Sequence, residues 1–544
     1  MNLVAIFGTA AAAYYVSPFM KGPWMFINTW DDSINFVENT MIQTPLSFAS
    51  ILDMLTVVKI NVYEPLAWLL KAIVHSLAGM DSYTVRVVAL SLHACNSALV
   101  YLTSLTVLNH LGTPDSTGCL LGTLLYAVHP IHVEVIGWPS AQPYALSMLF
   151  ALLCLLSYLR ALSSSSKMQA SLFMASSTVF YIFSVLSKSV SILFPVAIFL
   201  IDVLLADKAP KLAKFHVAKL GFVVAGVLLM AKTIAANTEG TYHDADVVHL
   251  TFSQRCVKAF IVLLWPWRQF LWPAQLRYHY QVSPEDLQVF HPRGLLSIAF
   301  VAAITVGGLL RRDKAIVAAW IYSVAMLLPV SGLIPHGLVF LAADRYAYFP
   351  TLVFVPLCGA AFSTVTEPST RRFVALLGCV WALCLAHVSV LQFESWRTAE
   401  ALYRHGLHQD PTDWAMLDSL QDQLLRMGQF DEAKTYLERA LRYSPTEGLK
   451  ARLQIAKYLM LLQRVDDACA IYHGLLEANP SSAHVNNNVG ICHWKMGKLT
   501  VARQHFVQAL NGSGLTWGDK SPETNIELLD AWDPRTPIQA SFMW

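Results

Sequence analysis

Charge is what this sequence has little of. Of its 544 residues only 14% are Asp, Glu, Lys or Arg, against roughly 25% in an ordinary soluble protein. With 55% hydrophobic residues and a mean hydropathy of +0.47, the chain reads as a membrane protein. What charge there is nearly cancels, to a net +2. The basic residues are scattered, which excludes a nucleic-acid partner, because that needs a clustered basic face. Cysteine is uninformative over most of the length: Cys95, Cys119, Cys154, Cys358, Cys379 and Cys384 lie in apolar runs, where a free thiol behaves as a small hydrophobe. A basic n-region is also missing ahead of "MNLVAIFGTAAAAYY", so this opening stretch is expected to remain as an uncleaved anchor.

What is present divides in two. Apolar runs fill residues 1–393, and from Glu394 onward the chain turns rich in Lys, Glu, Gln and Asp. A membrane-spanning helix needs about 20 mainly apolar residues. That rule predicts eleven spans, near 3–20, 84–108, 118–131, 141–160, 168–186, 190–206, 216–236, 294–310, 315–332, 346–364 and 373–393. A further apolar stretch, "VKAFIVLLWPWRQFLWP" (257–273), contains Pro266, Arg268 and three Trp. Positive-inside counting assigns it to the interface, because Arg160 to Lys167, "ADKAPKLAK", "RRDK" and Arg371–Arg372 then share one face. The long loops 21–83 and 237–293 and everything after the last span are expected on the opposite, lumenal face.

The polar part carries a repeat. Pro411, Pro445 and Pro480 are 34 and 35 residues apart, each closing a helical stretch, which is the tetratricopeptide period. Gly428 and Gly497 take the same turn position, with Gln463 in the middle copy, and Ala433, Ala468 and Ala502 take the small-residue position of the second helix. About three repeats are expected over 394–514, with "ALYRHGLHQDP" as the first helix of the stack and 515–544 as a C-terminal tail. Such arrays present a concave face that binds a polypeptide. Cys469 and Cys492 fall in consecutive repeats, where a disulfide is permitted on an oxidising side. Asn511-Gly512-Ser513 is a glycosylation acceptor pattern.

Ionisable groups beside apolar spans are costly and therefore candidates for function. Four sets fall on the lumenal face. Asp31 and Asp32 follow the opening stretch; taken alone they read as a helix cap through "DDSINFVEN". His129, His132 and Glu134 lie in "AVHPIHVEVIGWPS", where Pro130 suits a first helical turn and the histidines favour anion or hydrogen-bond roles over metal. Lys188 is the only charge between Lys167 and Asp202, an interface anchor or a phosphate ligand. Asp344, Arg345, Tyr346 and Tyr348 open a span, where a guanidinium beside Tyr suits phosphate.

Together with "YEPL", His93, "HPIHVE", "DRYAYFP" and "SWRTAEALYRHGLHQDP" ahead of the repeats, these residues resemble the transmembrane O-mannosyltransferases with tetratricopeptide repeats, the TMTC family. The similarity runs over nearly the whole chain. It implies an all-α fold: a GT-C-like domain of about 11 membrane helices over 1–393, followed by a repeat solenoid. It also implies an endoplasmic-reticulum enzyme that transfers mannose from dolichyl-phosphate mannose to Ser or Thr of a lumenal acceptor polypeptide, with inversion. An Asp of the first lumenal loop would be the general base; Asp32, deeper in the loop, is preferred and both acids are carried. Arg345, Lys188, His129 and His132 are the donor-phosphate candidates, with Glu134, Asp344 and Tyr346 in support. A divalent cation is left open, since the acids and histidines lack a diagnostic ligand spacing. The chain departs from the family where it has Glu64, Gln142, Ser189 and Met41. These departures motivate the alternative reading of a degenerate transferase that serves as a membrane-anchored client adaptor.

Overall fold

The computed structural model describes residues 23–59, 62–206, 216–239, 250–333, 340–445, 449–512 and 521–531. The fold is all-α: among the described residues there is no strand, only an isolated antiparallel bridge between Lys59 and Val62. The chain divides into two compact units that part after Pro411.

The first unit is that of a multi-pass membrane protein. Seven of its described helices are long and apolar enough to cross a bilayer: Ser82–Leu111, Pro139–Ser163, Lys167–Ser187, Lys219–Ala236, Pro292–Arg311, Asp344–Ser363 and Pro368–Ser395. Ser116–Ala127 with Pro130–Gly137, bent by 51°, makes an eighth if the pair is one span. The expected spans 190–206 and 315–332 correspond to the shorter apolar helices Ser189–Leu205 and Lys314–Val330. The expected span 3–20 lies outside the described residues. The stretch expected at the interface forms helix Phe252–Leu271, with Pro266 inside it.

Local chemistry sets the helix ends. Asp81 caps Ser82–Leu111 by accepting from the Thr84 amide at 2.9 Å, and Gly112 ends it in the left-handed conformation at φ 76°. Three residues on, Asp115 caps the next helix by accepting from Gly118 N at 2.8 Å and pairs with Arg371 at 2.7 Å. The connection between these two helices therefore meets the start of helix Pro368–Ser395. Helix Ser116–Ala127 approaches Phe354–Ser363 closely: a Cβ on Gly118 would lie 2.5 Å from Phe362 Cβ, and one on Gly122 2.9 Å from Cys358 Cβ. Small residues four apart are what lets apolar helices pack without polar contacts.

Residues 394–411, expected to begin the repeat stack, belong to the first compact unit. Tyr403 bonds Thr29 at 2.7 Å, His405 meets the Leu276 carbonyl at 3.1 Å and Arg277 pairs with Asp410 at 3.1 Å.

The second unit is a stack of helix pairs: Trp414–Arg426 with Phe430–Tyr443, Leu449–Leu461 with Val465–Ala478, and Ala483–Lys495 with Leu499–Leu510. The expected register is present. Gly428, Gln463 and Gly497 all have left-handed backbones, at φ 74°, 62° and 74°. Ala433, Ala468 and Ala502 are buried, as are Leu437, Tyr472 and Phe506 one helical turn later. Cys469 and Cys492 form a disulfide with Cα atoms 5.7 Å apart. The stretch expected as a tail contains helix Pro522–Asp530, whose Leu529 packs with Ile491, Trp494 and Phe506 and so covers the end of the array. Asn511 is exposed; Ser513 lies outside the described residues.

Candidate functional site

Four separated stretches converge in the first unit. The loop carrying Asp31 and Asp32 is followed by a single π-helical turn, Ser33–Val37, and Asp32 makes no side-chain cap bond to it. The capping reading of the pair fails, because the Asp32 carboxylate is used elsewhere. Its Oδ2 accepts from Ile27 N at 2.8 Å, and its Oδ1 from Ser140 N at 3.1 Å and Ser140 Oγ at 2.5 Å. Asp32 is fully buried, and burial raises its pKa despite these donors. It ties the first loop to the turn Pro139–Ala141.

Asp31 is different. It is partly exposed, and its carboxylate has no hydrogen-bond or ion-pair partner among the described residues. Burial raises its pKa to about 6, against the attraction of Arg345, Lys188 and Lys71 and with a further push from Asp32.

The three cations are held in distinct ways. Arg345 forms an ion pair with Glu134, whose other oxygen accepts from the Arg345 backbone N–H at 2.9 Å. The guanidinium is walled by Trp138 and Tyr346, with centroids 5.2 and 5.1 Å away. Lys188, at the end of helix Lys167–Ser187, pairs with buried Glu64 and lies 5.3 Å from the Tyr144 ring. Lys71, on helix Pro65–Ala78, donates to the neutral amide of Asn35 at 2.6 Å and lies 4.1 Å over Trp68. Burial lowers the Lys71 pKa to about 7.

The histidines build scaffold. His129 Nε2 meets the Phe270 carbonyl at 2.9 Å, and its Nδ1 accepts from Ile131 N at 3.2 Å. His132 bonds the Tyr126 carbonyl at 2.8 Å and Thr351 Oγ1 at 3.1 Å. All four ring nitrogens are engaged and both residues are buried, so neither ring offers a nitrogen to a phosphate without breaking one of these contacts. Pro130 does open a turn, but a 3-10 one. Asp344 is buried and accepts from Tyr280 Oη at 2.7 Å. Among the described residues no three His, Cys, Asp or Glu side chains are grouped so as to hold a metal ion.

Sequence reasoning missed Lys71 and Arg86. The first was marked by being the only Asp, Glu, Lys or Arg in "PLAWLLKAIVHSLA". Arg86, buried, holds four backbone carbonyls, those of Met25, Ser82, Gly137 and Trp396, at 2.7–3.2 Å. It locks the loop that presents Asp31.

Residues 424–487 match the tetratricopeptide repeat family. No curated protein matches the chain significantly. Among solved structures it is similar to the apo crystal structure of ArnT from Cupriavidus metallidurans, at 13% identity and a TM-score of 0.37, over 86% of this chain and 79% of that one.

Proposed function

We propose that the protein is an endoplasmic-reticulum glycosyltransferase that moves mannose from dolichyl-phosphate mannose to a Ser or Thr hydroxyl of an acceptor polypeptide, with Asp31 as the general base. The observation that carries this reading is the state of Asp31: a carboxylate without a bonded partner, its pKa raised to about 6, within the field of Arg345, Lys188 and Lys71. A hydroxyl is a poor nucleophile at neutral pH, and a base with pKa just below the working pH is both ionised and basic enough to take its proton. As the acceptor oxygen bonds to the anomeric carbon, the bond from that carbon to the donor phosphate oxygen breaks. The electron pair leaves with the dolichyl phosphate, the proton goes to Asp31 and the configuration inverts. Charge growing on the phosphate would be met by Arg345, Lys188 and Lys71. The dolichol donor and the sugar follow from the TMTC resemblance. The repeats would hold the acceptor chain along their concave face.

One observation favours the adaptor reading. Arg345 and Lys188 already carry carboxylate partners, Glu134 and Glu64, so a phosphate must displace or share them. The experiment supplies purified full-length protein with dolichyl-phosphate mannose and a Ser/Thr-rich polypeptide, beside Asp31→Asn. Transfer that Asp31→Asn abolishes supports the enzyme; transfer that it leaves intact removes Asp31 as base. No transfer with client binding retained supports the adaptor.

A further inference from the structure

A polar cavity in the same unit, of about 210 Å³, shares no lining residue with the Asp31 centre. It has room for far more than one water, whose share of liquid volume is about 30 Å³. Three arginines line it, Arg268, Arg277 and Arg293, from helix Phe252–Leu271, the segment after it and the start of helix Pro292–Arg311. Arg268 and Arg277 both stand within electrostatic reach of Arg293. Two have acid partners: Arg277 pairs with Asp410 at 3.1 Å and Arg293 with Asp286 at 3.6 Å. Arg268 has none among the described residues and lies over the Trp265 ring at 5.7 Å. Three guanidiniums against two carboxylates leave one positive charge.

Two more features point to a ligand. Arg277 Nε, a donor on a residue lining the cavity, is buried and has no hydrogen-bond partner among the described residues. Beside the arginines in sequence, large apolar side chains stand in the open: Leu271 is 68% exposed, Trp272 67% and Phe290 87%.

We propose that this pocket binds the phosphodiester headgroup of an amphiphilic lipid, separately from the Asp31 centre. A phosphodiester carries the single negative charge the lining lacks, and its oxygens accept from guanidinium forks. Arg277 Nε is a donor ready for one of them. The exposed Leu271, Trp272 and Phe290 give the acyl chains an apolar surface, which a free phosphate would not use. This goes beyond the transfer reaction and does not depend on it.

The test uses native mass spectrometry of the purified full-length protein. The probes are dioleoyl phosphatidylglycerol, the neutral dioleoylglycerol with the same chains, inorganic phosphate, and dolichyl phosphate as competitor. Phosphatidylglycerol should be retained and dioleoylglycerol not, with inorganic phosphate a weak displacer. Arg268→Gln should weaken retention by about tenfold, the size of one charge-assisted contact, and Arg268→Gln with Arg293→Gln should weaken it further, whereas Lys188→Gln should not. Because Arg268 is exposed and in no ion pair among the described residues, its single variant reads the site without loss of fold. Equal retention of the neutral lipid, unchanged retention in Arg268→Gln, or inorganic phosphate binding as tightly as the lipid would overturn the proposal. Displacement by dolichyl phosphate, with Lys188→Gln reducing retention, would overturn its separateness.

Discussion

Replacing Asp31 by Asn should stabilise the protein while abolishing transfer, and the two effects together identify the residue's role. Its carboxyl titrates at about 6 in the fold, against 3.8 for a free Asp. The folded pKa is raised, so between about pH 4 and pH 6 the native state holds more protons than the unfolded chain. Stability therefore falls as pH rises through that window, and the deficit is complete above it. A shift of about two units corresponds to at most about 3 kcal/mol, and partial solvent exposure reduces this to roughly 1–2 kcal/mol. Asn removes the titration and with it the deficit. Thermal unfolding followed by tryptophan fluorescence should show Asp31→Asn more stable than wild type at pH 7.5, with the gain shrinking at pH 4.5. In wild type, kcat/KM should fall about tenfold for each pH unit well below 6 and level off above 7. An Asp31→Asn protein no more stable than wild type at pH 7.5, or a gain that does not shrink in acid, would refute the reasoning.

Asp32→Asn should behave in the opposite way: an amide places N–H against the Ile27 or Ser140 donors, so stability should drop by about 1–3 kcal/mol in the same melt. Glu64→Gln releases Lys188 from its ion pair, and the proposed transferase should then show a lower KM for the dolichyl donor, read in an initial-rate assay. In the repeats, Gln463→Gly should raise the unfolding free energy by about 1 kcal/mol, because the site is left-handed and Gly adopts that backbone without a Cβ penalty. Gly490→Ala should lower it by about 1–3 kcal/mol by overpacking, since the new Cβ would lie 2.5 Å from Phe506 Cε1. Urea titration followed by circular dichroism measures both.

Much of the architecture was legible because it is periodic. Long apolar runs and a repeat of 34 to 35 residues are properties of neighbouring residues, and they predicted the membrane helices and the register of Gly428, Gln463 and Gly497. Lone charges beside apolar runs were equally visible, and Asp31, Glu134, Lys188 and Arg345 do come together. What sequence could not show was which groups were already spoken for. The partners of His129 and His132, Phe270 and Thr351, are 141 and 219 residues away. Isolated histidines therefore read as ligand-seeking when they are saturated. The same holds for Asp32, whose partner Ser140 is 108 residues on, and this is why depth in the loop was a poor guide to which acid stays open. Helix Pro522–Asp530 was missed although Ser521 caps it and Pro522 opens it, because nine residues outside the repeat period carry little pattern.

The Cys469–Cys492 bridge joins helix Val465–Ala478 to helix Ala483–Lys495, so it spans the junction between two successive repeats. Seen mechanically, a helical-repeat array is a spring, and this bond shortens the part of it that can be drawn out. With a sequence separation of 23 and about 3.4 Å per extended residue, the oxidised chain withholds roughly 80 Å of contour length that the reduced chain releases under load. A client pulling on the array would meet a junction that cannot peel open, and the extension at which the array yields would report the redox state around it.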